Sequence, residues 1–215
     1  MRKKIGIRSK VRLCLLASGT GSNAQNISES FKDHPRIEVG ALLSNSKTAP
    51  VLEKIRKMGI EVRYFPNTSF EENSEPILKF FRSRQIDLIV LAGFLRCLSR
   101  DIVRAFDKKI LNLHPSLLPK YGGKGMYGNR VHQAVLDAGE PETGITIHHV
   151  NEDYDQGDVM FTHSCPVDKK DTVETLAQKI RHLEHEKYPQ AIKVIAPKFS
   201  HYLSPRFSWI EARKR

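Results

Sequence analysis

The chain has little of what staples a small secreted fold. Its three cysteines, Cys14, Cys97 and Cys165, are odd in number and widely spaced. That excludes a disulfide framework and a zinc-ligand spacing, and it suits a reducing compartment. There is no internal repeat, no low-complexity tract and no apolar run long enough to cross a membrane. The basic start, "MRKKIGIRSK", is not followed by a sufficient apolar stretch before "SGTGSN", so no signal peptide is expected. No staple is needed: a chain of 215 residues buries roughly 70% of its unfolded surface. With 40% apolar and 27% charged residues it has the balance of a single soluble globular domain.

Negative charge is also scarce: 24 acidic against 35 basic side chains leave a net +11. Such a surface fits a nucleic-acid binder, a protein that attracts small anions, or merely a basic exterior. Neither end carries a nucleic-acid motif, so charge alone decides nothing.

What is present alternates strand and helix. "VRLCLLA" is a near-continuous apolar run, as in a strand buried on both faces. A polar loop and a helix over "AQNISESF" follow. Strands are expected at 37–45, 60–65, 86–94 and "KILNLH". A helix over "APVLEKIRKM" stops at Gly59, and another follows a Ser69–Glu72 capping pair, with Pro76 near its start. "GITIHHV" and "DVMFTHSCPV" read as two more strands joined by the acidic loop "NEDYDQG". A long helix closes the domain, opened by Asp171 and Glu174, with Val173, Leu176, Ile180 and Leu183 at helical spacing. The pattern predicts a single α/β, Rossmann-like domain with a mostly parallel twisted sheet flanked by helices. Ligands gather at the carboxyl ends of such strands, so "SGTGSN", "GFLR" and "NLHPS" should share one cleft.

"SGTGSN" joins the first strand to the first helix. Gly19 and Gly21 let a backbone approach a ligand closely, and the helix start offers free N–H groups and a positive dipole end. This describes an anion site, most often for phosphate. The third glycine and the acidic end of strand two that mark a dinucleotide site are missing, and so is the lysine of a Walker loop.

In "ILNLH", Asn112 and His114 fall on one strand face. An amide donor and an imidazole converging on one point suit acyl transfer, in which a carbonyl oxygen becomes an oxyanion. An orienting carboxylate is expected, and Asp153, Asp155 and Asp158 are open candidates. "HPSLL" lacks the glycines of a serine elbow, and Cys14 lies in a buried strand. Direct transfer to an incoming amine, without a covalent enzyme intermediate, fits better.

Together "LLASGTGSNAQNI", "LLSNSKTAPVLEKIRKMGIEV", "LIVLAGFLRCLS", "ILNLHPSLLPKYGG", "GITIHHVNEDYDQGDV" and "RHLEHEKYP" resemble the phosphoribosylglycinamide formyltransferase family, in order and spacing, over residues 11–195. The resemblance implies formyl transfer from 10-formyltetrahydrofolate to the amine of glycinamide ribonucleotide in purine biosynthesis, with no metal. It implies catalytic roles for Asn112, His114 and Asp155. It places substrate on Gly19, Thr20, Gly21, Ser22, Asn23, Pro115 and Glu184, and the folate on Leu95, Arg96, Cys97 and Leu98 and on Val150, Asn151, Glu152, Asp153 and Asp155. Glu184 also borders the apolar face of the last helix on spacing alone.

The implied partners are two small molecules, with no membrane and no nucleic acid, for a cytoplasmic monomer or homodimer. The implied layout is a basic extension at 1–10, a domain at 11–197 with a phosphate-binding half (11–105) and a catalytic and folate half (106–197), and a basic tail at 198–215. Two features depart from the family: Phe70 stands where some relatives place an arginine near the phosphate, and "GGKGMYGNR" forms a long lip with Lys124 or Arg130 near anionic groups. The chain is too short for the extra domain of a methionyl-tRNA formyltransferase or a formyltetrahydrofolate deformylase. A sugar-nucleotide N-formyltransferase or a deformylase using the same site, and a basic RNA-binding module, are the competing readings.

Overall fold

A computed structural model describes residues 10–199. The expected basic ends lie outside them, apart from Lys10, Lys198 and Phe199. Seven strands form one sheet in the order β3-β2-β1-β4-β5-β6-β7. They are β1 (Val11–Leu16), β2 (Ile37–Ser44), β3 (Glu61–Tyr64), β4 (Leu88–Leu91), β5 (Ile110–His114), β6 (Glu142–His149) and β7 (Val159–Pro166). The first five run parallel, while β6 is antiparallel to both of its neighbours. The sheet is continuous across the expected 11–105 and 106–197 halves.

The apolar run of β1 is buried on both faces because helices cover both. Leu13 and Leu15 face α1 (Ser22–Ser30), α2 (Pro50–Lys57) and the long α7 (Val173–Ile195), through Ala24, Ile27, Val51, Ile55, Tyr188 and Ile192. Cys14 and Leu16 face the opposite layer, where α3 (Asn67–Glu71), α4 (Glu75–Ser83) and α5 (Arg100–Ala105) contribute Phe70, Ile77, Phe81, Ile102 and Val103.

The middle of α7 is tied to α1 by a consequence of proline chemistry. Pro189 has no N–H for the carbonyl four residues earlier. That carbonyl, of His185, instead accepts from Asn26 Nδ2 at 2.7 Å. Next to it the buried Tyr188 hydroxyl lies 3.0 Å from the Leu91 carbonyl and 3.2 Å from that of Leu111. The "EHEKYP" segment thus anchors α7 under the ends of β4 and β5.

Several expectations about boundaries need correction. Ser69 is buried inside α3 and caps nothing; α4 begins after Ser74 with Pro76 in its first turn. Pro76 is tolerated there because first-turn N–H groups have no intrahelical partner. Asp171 and Glu174 do not open α7: Thr172 and Thr175 form the reciprocal capping box, and Asp171 pairs with Lys179 at 2.7 Å. Three helices carried too weak a signal to be expected: α3 and α5, both short segments, and α6 (Asn129–Asp137), whose first residues Asn129 and Arg130 fall in the expected lip.

Candidate active site

Strand order reverses between β1 and β4, and a cleft of about 650 Å³ opens at their carboxyl ends. At one side lies the loop from Ser18 to Asn23. Gly21 takes φ 70°, and a Cβ there would sit 2.0 Å from Val51 Cγ2. Only glycine allows both the left-handed turn and the close approach of α2. Helix α2 grips the loop further: Val51 N–H donates to the Gly19 carbonyl at 3.3 Å and Lys54 Nζ to that of Thr20 at 3.0 Å. The start of α1 has no side-chain cap and no acidic residue in its first turn, so its dipole end is open to an anion. Ser18 ties this loop to the next wall, since its Oγ accepts from Leu95 N–H at 2.9 Å.

Asn23 does not cap α1. Its Nδ2 donates to Glu184 Oε2 at 2.8 Å, while its buried Oδ1 has no protein partner among the described residues. Burial pushes the Glu184 carboxyl up, and the Asn23 bond offsets part of that. This α1–α7 pair places an amide and a carboxylate on the cleft wall.

Across the cleft, β5 carries Asn112 and His114. His114 is 3% exposed. Its Nε2 lies 2.8 Å from the Tyr121 carbonyl, which can only accept, so Nε2 carries a proton. The nitrogen that gains and loses a proton is therefore Nδ1, 3.5 Å from Asp155 Oδ2. Of the three acidic candidates, Asp155 is the one beside the imidazole. Asp158 is exposed and faces Lys108, and Asp153 is exposed in the same loop.

Burial pulls the His114 pKa below its ordinary 6.5, against the opposing effects of Asp155 and the Tyr121 carbonyl. The resting imidazole is thus neutral near pH 7. Burial alone would raise the Asp155 pKa, but His148, the Gly123 N–H at 2.9 Å and His114 outweigh it, and the net direction is down. A neutral base beside an ionised carboxylate can take a proton and have the resulting charge compensated.

Residues 11–192 match the family described as formyl transferase. The chain belongs to the formyl transferase family. It is 38% identical over 189 residues to phosphoribosylglycinamide formyltransferase, chloroplastic, of Arabidopsis thaliana, covering 86% of this chain and 65% of that protein. It is 37% identical over 194 residues to the trifunctional purine biosynthetic protein adenosine-3 of Bos taurus, covering 87% of this chain and 18% of that one. The chain spans under two thirds of the length of these curated relatives. A crystal structure of phosphoribosylglycinamide formyltransferase from Anaplasma phagocytophilum superposes with TM-score 0.80 at 31% identity, covering 87% of each chain.

Every residue expected at the formyl transferase site lines this one cleft: the loop from Gly19 to Asn23, Leu95 to Leu98, Asn112, His114, Pro115, Val150 to Asp155, and Glu184. Lys124 and Arg130 line it too. Phe70 does not; it is fully buried with its ring centroid 4.7 Å from that of Phe94. Sequence reasoning missed His148, His132 and Arg181, which also line the cleft. His148 sits directly across from Asn112 in the β5–β6 pairing, a register that periodicity alone does not reveal. Among the described residues, no cluster of histidine, cysteine or acidic side chains could hold a metal ion, and no helix is long and apolar enough to cross a membrane.

Proposed function

We propose that this chain transfers the formyl group of 10-formyltetrahydrofolate to the amine of glycinamide ribonucleotide, giving formylglycinamide ribonucleotide and tetrahydrofolate in purine biosynthesis. The observation that carries this reading is a single cleft joining an uncapped helix start to the Asn112, His114 and Asp155 group. A phosphorylated amine and a formyl donor need just those two ends.

The phosphate is assigned to the N–H groups of Gly21, Ser22 and Asn23, and the ribose to Asn23 and Glu184. The wall of Leu91, Phe94, Leu98 and Val150 with the Arg96 cation fits a flat heterocycle bearing an anionic tail. Bound there, the folate supplies an electrophilic formyl carbon. Amine attack creates negative charge on the formyl oxygen and a proton to be lost from nitrogen. His114 Nδ1 takes that proton, Asp155 compensates the imidazolium, and Asn112 brings its amide to the same point; on collapse the bond from the formyl carbon to the folate nitrogen breaks, and the imidazolium gives its proton to that nitrogen, releasing tetrahydrofolate and the neutral imidazole. No enzyme nucleophile is needed on this reading. Ser116 Oγ is buried and donates to the Lys120 carbonyl at 2.7 Å, and burial pushes the Cys14 thiol pKa up. On this reading the partners are two small molecules, met in the cytoplasm by a monomer or homodimer.

Steady-state turnover with 10-formyltetrahydrofolate and a panel of acceptors tests the assignment. Turnover is expected with glycinamide ribonucleotide. Preference for an amino sugar nucleotide, or release of formate without an acceptor, would instead favour the two competing enzyme readings.

A further inference from the structure

His114 and Asp155 are each held by a backbone group, and both groups come from one turn. The Tyr121 carbonyl accepts from His114 Nε2 at 2.8 Å, and the Gly123 N–H donates to Asp155 Oδ2 at 2.9 Å. That turn needs holding: Tyr121 takes φ 57°, a left-handed conformation that a residue with a side chain resists. Its anchor lies outside the cleft. The Tyr121 hydroxyl donates to Glu140 Oε1 at 2.9 Å, and Lys120 Nζ donates to the same oxygen at 2.8 Å. Glu140 follows the end of α6, where its own N–H is fixed on the Val135 carbonyl at 3.3 Å. Ser116 Oγ completes the grip by donating to the Lys120 carbonyl at 2.7 Å. Lys120, Tyr121 and Glu140 do not line the cleft, so they are not placed to touch a ligand.

We propose that Glu140 is a positioning residue: by gripping the Tyr121 hydroxyl and Lys120, it keeps the 121–123 turn seated on the His114–Asp155 pair. The Tyr121 carbonyl then keeps the proton on Nε2 and leaves Nδ1, beside Asp155, as the nitrogen that exchanges one. Burial pulls the His114 pKa down, Asp155 and the Tyr121 carbonyl oppose that, and His148, the other titratable neighbour, adds to it. Releasing the turn weakens one of the two upward influences, so His114 becomes a weaker base. What the pair does in turnover rests on the formyl-transfer reading; how Glu140 holds it does not.

The His114 pKa can be followed by ¹H–¹⁵N titration of the full chain carrying ¹⁵N-histidine, with His114→Ala identifying its signals. Glu140→Ala should lower that pKa. Glu140→Gln, whose amide oxygen still accepts from both donors, should leave it close to wild type. In turnover, Glu140→Ala should lower kcat about tenfold through misplacement of the pair. Its acid limb should move to lower pH, with KM for either substrate changing less than about threefold. Glu140→Gln should stay within about threefold of wild type, and Tyr121→Phe, which keeps the Lys120 contact, should fall between the two. An unmoved His114 pKa in Glu140→Ala, a glutamine variant as impaired as alanine, or a loss carried by KM rather than kcat would overturn the proposal. If the wild-type chain formylates no amine, the formyl-transfer reading fails, while the His114 titration still decides whether Glu140 holds the pair.

Discussion

At the phosphate-loop end of the cleft the backbone does the shaping; at the Asn112–His114 end side chains do. Gly21 is held at φ 70° against Val51, and the start of α1 there carries no side-chain cap. Across the cleft, His114, Asp155, Asn112 and His148 form a chain of side chains, each within 3.6 Å of the next. Damage to the first end should therefore appear as lost affinity for one ligand, and damage to the second as lost rate with affinity kept.

The sharpest break is His114→Ala. It should lower kcat by about 10²- to 10⁴-fold, the usual contribution of a general acid–base group, with binding of both ligands retained in calorimetric titration. Near wild-type turnover would remove His114 from the chemistry.

Gly21→Val strikes the other end. The new side chain overlaps Val51 and resists the left-handed turn, at a cost of about 1–3 kcal/mol. Titration with each ligand separately should show that glycinamide ribonucleotide is weakened far more than the folate. Equal losses would mean that the mutation disrupts the cleft as a whole rather than one end.

Asp155→Asn sharpens the comparison through pH. On the proposed reading a neutral His114 is the base, so the rate should rise with pH through an acid limb that follows the His114 pKa, which burial lowers from 6.5. The carboxylate raises the His114 pKa; without it that pKa falls further, and the limb moves to lower pH. The limb belongs to the coupled pair rather than to either residue alone. The rate should fall about tenfold for each pKa unit of imidazolium stabilisation removed, at similar substrate affinity. An unchanged profile and full rate, beside a dead Asp153→Asn enzyme, would transfer the role to Asp153.

The smallest effect is expected at Asn26→Ala, which touches neither end. It leaves the His185 carbonyl without its partner beside Pro189, at about 1–3 kcal/mol of stability. Denaturant unfolding should register that loss while kcat stays unchanged.

The same contrast governs how much could be read from sequence. Glycine spacing and an apolar strand announce a backbone-built site, so the loop from Gly19 to Asn23 was legible without knowing which strands pair. Asn112 and His114 were legible because the alternation of one strand puts them on one face. The carboxylate stayed open among Asp153, Asp155 and Asp158 on the residues alone, because loop geometry (Asp155 takes φ 54°) has no periodicity. His148 was invisible because its place beside Asn112 depends on the antiparallel register of β6 against β5. Helix α6 was hidden by the glycines that precede it, and the start of α7 was misplaced by one residue because a threonine box lies beside a plausible acidic one.

The most direct test of the account is the stoichiometry of transfer by the purified wild-type chain. With 10-formyltetrahydrofolate and glycinamide ribonucleotide both present, each tetrahydrofolate formed should be matched by one formylglycinamide ribonucleotide, and omission of either substrate should stop the reaction. Donor consumption without formylated amine, or no consumption beside salt-dependent binding of unrelated RNA, would contradict it.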